Sequence, residues 1–202
     1  MITYYHRYDL PDGLFFGNLI AVDTETMGLI PRRDRLCVVQ LSGGDGHCHV
    51  VHLGRDYACP NLKALLAYPY TTKIFHFARF DLAVIQHHLE VVCAPVYCTK
   101  LASRLARTNV DRHGLRDLCC DLLGIELSKQ QQMSDWGGEG LTPQQLEYAA
   151  TDVLHLHALK ERLDHLLERE GRRALAEACF RFLPCRATLD LNGWEKEDVF
   201  AH

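Results

Sequence analysis

No apolar run in this sequence exceeds a few residues, far short of the roughly 20 that a membrane-spanning helix needs. The opening residues, Met1-Ile2-Thr3-Tyr4-Tyr5-His6-Arg7, lack the basic-then-apolar order of a secretory signal, so the expected compartment is the cytoplasm. The nine cysteines are odd in number and form no C-x-x-C, which disfavours both a disulfide framework and a structural zinc site. Most sit in apolar patterns, such as Leu36-Cys37-Val38-Val39, and read as reduced core thiols. Twelve histidines are present, but not in the paired blocks that hold zinc. A phosphate-cradling Walker loop and a dinucleotide fingerprint are also lacking; Gly43-Gly44-Asp45-Gly46 reads as a hairpin turn. Basic excess is lacking too. The net charge of −4 argues against a protein that wraps long nucleic acid, though not against a local basic site.

The chain has 202 residues, 48% of them hydrophobic and 24% charged, which suits one folded domain. No repeat or linker divides it. Residues 172–202 are too few for a second domain, yet they carry Phe180, Phe182, Leu183, Trp194 and Phe200. We expect this extension to pack on the domain or on a neighbouring subunit.

Short apolar runs bounded by turn signals predict strands over residues 19–23, 35–41, 47–53, 73–77 and 91–97. Helical spacing predicts helices over 60–68, 81–89, 99–107 and 114–124, the last ended by Gly124. Thr142, Pro143 and Gln145 form an N-cap, a first-turn proline and a capping box. The helix they start is expected to run to Glu170 and stop at Gly171. Strands first, then alternating strands and helices, imply an α/β fold with a mixed sheet of five strands flanked by helices.

Three groups of polar residues stand out against this pattern. Asp23 and Glu25 are two apart on the first strand, so both project from the same face. Adjacent carboxylates repel unless a cation lies between them, and hard divalent cations prefer such oxygens. Asp81 lies at a strand-to-helix junction, and Tyr148 and Asp152 share a face of the late helix. Taken singly, each has a plain alternative: a solvated strand end, a helix first-turn acid, a half-buried paired acid.

Taken together, Asp-x-Glu on a first strand, Asp after a fourth and Tyr-x-x-x-Asp on a late helix resemble the DEDDy 3′–5′ exonucleases, specifically the ribonuclease D-like family. The segments Lys73-Ile74-Phe75-His76-Phe77 and Ser128-Lys129-Gln130-Gln131-Gln132 are similar to the short nano-RNase members of that family, as is the tail from Phe182. The resemblance covers about residues 15–165 as a domain and implies a ribonuclease H-like fold.

It further implies that Asp23, Glu25, Asp81 and Asp152 hold two divalent ions, Mg²⁺ or Mn²⁺, and that Tyr148 orients the attacking water. Thr24, Gly28, Leu29, His76 and Phe77, with the loop Lys129, Gln130, Gln131 and Gln132, become substrate contacts; Leu29 would wedge between terminal bases. The implied activity is hydrolysis of very short RNA, chiefly dinucleotides, from the 3′ end. The alternative is trimming of longer RNA, or of DNA 3′ ends. The implied assembly is a homo-oligomer, ring-shaped and octameric in the short members. The five cations between Lys100 and Arg116 could contact phosphates or simply form a solvated face.

Overall fold

The structure is a computed structural model, and residues 2–127 and 134–201 are described. Six strands form one mixed sheet in the order β1-β4-β3-β2-β5-β6. They are β1 (Ile2–Arg7), β2 (Leu19–Thr26), β3 (Leu36–Ser42), β4 (His47–His52), β5 (Thr72–Phe75) and β6 (Val96–Cys98). β2, β3 and β4 form the expected antiparallel meander, with Gly44 and Gly46 both at positive φ in the β3–β4 turn. β5 and β6 join parallel to β2, so three strands end on one side of the sheet. That edge is where ligands bind in open α/β sheets.

The sheet has one strand more than expected. β1 pairs parallel to β4 at the edge, and most of its side chains are exposed. No apolar alternation marks such a strand. Polar contacts hold it instead: His6 Nε2 lies 3.0 Å from His49 Nδ1, Tyr5 Oη lies 2.8 Å from His52 Nδ1, and Tyr4 stacks on His49.

The helices α1 (Pro60–Ala67), α2 (Ala78–Leu89) and α3 (Thr99–Ala106) flank the sheet as their spacing predicts. α4 (Leu115–Leu118) continues into a π-helical turn over Cys119–Leu123, closed by Gly124 at φ 70°. The expected helix from Thr142 to Glu170 is two helices, α5 (Pro143–Leu154) and α6 (Leu156–Arg169), interrupted at His155 (φ −100°, ψ −5°). The apolar spacing continues across the break, because Val153 and Leu156 are both buried, and so hides it. Both halves of the capping box form: the Gln145 N–H donates to Thr142 Oγ1, and the Thr142 N–H donates to Gln145 Oε1.

Beyond Gly171, α7 (Arg173–Leu189) packs along α2, followed by a π-helical turn at Asp190–Trp194. The extension thus packs on its own domain, burying Ala176, Phe180, Leu183 and Ala187. Phe182, Trp194 and Phe200 remain exposed. Among the described residues, no helix is long and apolar enough to cross a membrane.

Candidate active site

A cleft of about 1190 Å³ opens at the carboxyl ends of β2 and β5. Its floor is β2, where Asp23 and Glu25 lie on one face as their spacing requires. α5 supplies Tyr148 and Asp152 one turn apart. One carboxylate oxygen each from Asp23, Glu25 and Asp152 lie within 4.8 Å of one another, a spacing that a single cation can bridge. Asp81, in the first turn of α2, is buried beside this trio rather than inside it. It accepts a 2.7 Å hydrogen bond from Thr24 Oγ1. Thr24 is itself largely buried, yet it lines the cleft between Asp23 and Glu25.

The electrostatics are those of a site built for positive charge. Burial, then the charges of Asp81, Asp152 and Glu25, hold the Asp23 carboxyl well above the carboxylate range. Burial and the neighbouring acids push Glu25 up to about 9. Burial raises Asp81 and Asp152 to about 7 each, with hydrogen bonds from Thr24 and Tyr148 opposing the rise. Four acids that cannot all ionise alone can do so around divalent cations. The donor set, all carboxylate oxygen, fits Mg²⁺ or Mn²⁺ chemically.

Gln40 was not singled out in the sequence. Its Nε2 donates to Asp23 Oδ2 at 3.0 Å, with a longer contact to Glu25 Oε1 at 3.5 Å, so it spans the two acids from β3. The signal was available: it is a lone amide inside a wholly buried strand. Such an amide needs a polar partner.

Tyr148 lies against Trp136, with ring centroids 6.2 Å apart, and hydrogen-bonds Asp152. Burial, then the surrounding acids, push its phenol further above 10. The phenol therefore keeps its proton at neutral pH. His76 stands beside the floor, with Nδ1 2.9 Å from Thr99 Oγ1. The Thr99 hydroxyl donates to the Phe75 carbonyl, which makes His76 Nδ1 the donor and leaves Nε2 an acceptor. Burial, then Lys100, lower His76 to about 3, so the ring stays neutral.

The other expected contacts divide. Leu29 is 85% exposed at the cleft rim, where a wedge would stand. Gly28 admits no side chain, since a Cβ would meet Asp34 Oδ2 at 2.3 Å, and that carboxylate is fixed by Arg33 and the Ile30 N–H. Phe77 is not among the cleft-lining residues; its ring lies under Lys100 Nζ at 4.2 Å, and Phe80 lines the cleft instead. Lys129, Gln130, Gln131 and Gln132 fall outside the described residues. The basic stretch does not act as a block: Arg107 pairs with Asp121 and Arg112 with Asp117, and only Arg116 of the five lines the cleft.

A model of the 3′–5′ exonuclease family matches residues 14–168. The chain belongs to that family. It is 34% identical over 155 residues to ribonuclease D of Granulibacter bethesdensis, covering 77% of this chain and 39% of that one. The chain thus spans about two-fifths of the curated ribonuclease D relatives it matches. Among solved structures, Brucella melitensis NrnC with bound Mg²⁺ superposes with a TM-score of 0.95 at 52% identity, over the full length of both chains. NrnC bound to pGG gives 0.95 at 53%, covering 100% of this chain and 99% of that one. Escherichia coli RNase D gives 0.74 at 26%, covering 85% and 45%. The family resemblance read from the sequence is borne out, and so is its ribonuclease H-like fold class, with the sheet enlarged to six strands.

Proposed function

We propose that this protein is a divalent-metal-dependent 3′–5′ exoribonuclease of the cytoplasm that hydrolyses very short RNA, chiefly dinucleotides, to nucleoside 5′-monophosphates. The observation that carries it is the Asp23–Glu25–Asp152 cluster with Asp81 beside it, facing a cleft in a family-matched domain. The length preference is supported by the full-length similarity to NrnC, one of whose structures is bound to pGG.

Asp23, Glu25, Asp81 and Asp152 would hold two cations, Mg²⁺ or Mn²⁺. When bound, such ions supply charge stabilisation to both the attacking and the leaving oxygen of an in-line displacement. The chain's own residues do the positioning. Gln40 fixes the rotamers of Asp23 and Glu25, and Thr24 that of Asp81. Tyr148, protonated and tied to Asp152, presents its oxygen to a water and orients it rather than removing its proton. Leu29 separates the terminal bases. His76 Nε2 and Arg116 offer one acceptor and one cation to the substrate. We further propose that the protein acts as a homo-oligomer, because Phe182 and Phe200 leave an apolar pair exposed on the tail. Mass photometry tests that directly.

The decisive experiment is a time course on 5′-labelled RNAs of two to about ten nucleotides with Mg²⁺ or Mn²⁺, beside Asp152→Ala. Preferential consumption of the dinucleotide, with the variant inactive, supports the reading. Stepwise shortening of all lengths at similar rates replaces it with general 3′ trimming.

A further inference from the structure

Asp81 sits in the first turn of α2, and that turn is poorly secured from within. Among the described residues no side chain caps it, and its N-cap residue, Phe77, stands at φ 65° in the left-handed region that non-glycine residues avoid. Something else must hold this end of the helix.

The tail holds it. Arg79, the second residue of α2, donates Nε to Asp190 Oδ2 at 2.5 Å and Nη2 to Asp190 Oδ1 at 2.7 Å. The same Nη2 donates to the Glu195 carbonyl at 2.7 Å. Arg186 reaches Asp190 Oδ1 at 2.8 Å from the other side and donates to the Trp194 carbonyl. Asp190 is only 11% exposed, so it is a shielded acceptor between two guanidinium groups. A bidentate arginine–carboxylate pair fixes orientation as well as distance. A second tie joins the rim loop to the tail: Arg32 Nη1, from the loop that carries Gly28 and Leu29, donates to the Leu191 carbonyl at 3.1 Å. All four tail acceptors, Asp190, Leu191, Trp194 and Glu195, follow α7, beyond residue 168 where the family match ends.

We propose that the C-terminal segment is a positioning element of the active site. The Arg79–Asp190 pair holds the first turn of α2 so that Asp81 meets the cation, and Arg32–Leu191 holds the rim loop against substrate. The proposal rests on the four-carboxylate reading above. Asp190 and Arg79 are positioning residues, since they act through Asp81.

The test is a Mg²⁺ titration of the initial rate on a 5′-labelled RNA dinucleotide, with melting temperatures measured alongside. Asp190→Asn is expected to raise the half-saturating Mg²⁺ by roughly 10-fold, the lower end of what losing a ligand's outer support costs. The maximal rate at saturating Mg²⁺ should change little, and Asp190→Glu should restore most of the affinity. Arg79→Lys serves if Asp190→Asn does not fold, and should give the same shift. Gln86→Ala is the control: it removes the 3.0 Å contact to Thr188 in the same helix pair, further along α2. It should lower the melting temperature without moving the Mg²⁺ requirement. Arg32→Ala should raise KM and leave the Mg²⁺ requirement alone. An unmoved half-saturation in Asp190→Asn, or an equal shift in Gln86→Ala, overturns the clamp. An unmoved KM in Arg32→Ala overturns the rim tie. Wild-type activity that is indifferent to Mg²⁺ and Mn²⁺ would overturn the nuclease reading itself, separately from the clamp.

Discussion

Asp152→Asn should make the metal-free protein more stable while it destroys activity. Burial raises the Asp152 carboxyl from 3.8 to about 7. A folded value above the unfolded one means that the folded state favours the proton. The stability this contributes is complete in acid and is lost as pH rises towards the folded value. The gap is about 3 pK units, and at roughly 1.4 kcal/mol per unit its ceiling above pH 7 is about 4 kcal/mol. Protons shared among the four acids and local solvent relaxation reduce the expected gain to about 2 kcal/mol. For a chain of this size that corresponds to a rise in Tm of roughly 4–8 °C. The assay is thermal unfolding in chelator across the pH range. The variant should melt with the wild type near pH 4, gain progressively to about pH 7, and keep a constant advantage above that. Added Mg²⁺ should reverse the order, because a ligand of the native state stabilises the chain that binds it better. A variant that melts no higher than wild type at pH 8 without metal, or whose advantage is the same at pH 4, would falsify the assignment of strain to the carboxylates.

Gln40→Leu removes the amide that spans Asp23 and Glu25, and should cost roughly 10-fold in metal affinity, read by Mg²⁺ titration of the rate. Because that amide lowers Glu25, the acid limb of the rate profile at subsaturating Mg²⁺ should also move to higher pH. Tyr148→Phe should lower kcat with little change in KM, by less than the roughly 100-fold that marks the low end of general base catalysis. Its rate profile should keep the wild-type shape near neutrality, since the phenol does not ionise there. A thiol reagent should modify Cys120 and Cys185 quickly in the native protein without loss of rate, and reach Cys37, Cys48, Cys59, Cys93, Cys98 and Cys119 only after denaturation.

The central strands were legible because burial on both faces writes continuous apolar runs, as in Leu36-Cys37-Val38-Val39. The carboxylates were legible because the register that buries Val22 also aligns Asp23 with Glu25. The capping box fixed the start of α5 to the residue. What stayed hidden depends on long-range placement. β1 is anchored by histidine–tyrosine contacts that have no periodicity. The break at His155 keeps apolar spacing on both sides. α7 carries Pro184 in its interior, which reads as a helix stop in a sequence but is accommodated here. Gln40 shows its role only when β3 is laid beside β2, with Gln40 opposite Asp23.

The chain carries two tryptophans, and their positions give it built-in optical reporters. Trp136 is 1% exposed and packs on Tyr148 in the cleft wall. Trp194 is 43% exposed in the tail, where its carbonyl joins the Arg186–Asp190 network. Emission from the first should sit to the blue and sense cation and substrate entering. Emission from the second should sit to the red and sense the tail letting go. Two single-tryptophan variants would therefore time the two events separately, with no label added, and show whether release of the tail precedes loss of the cation or follows it.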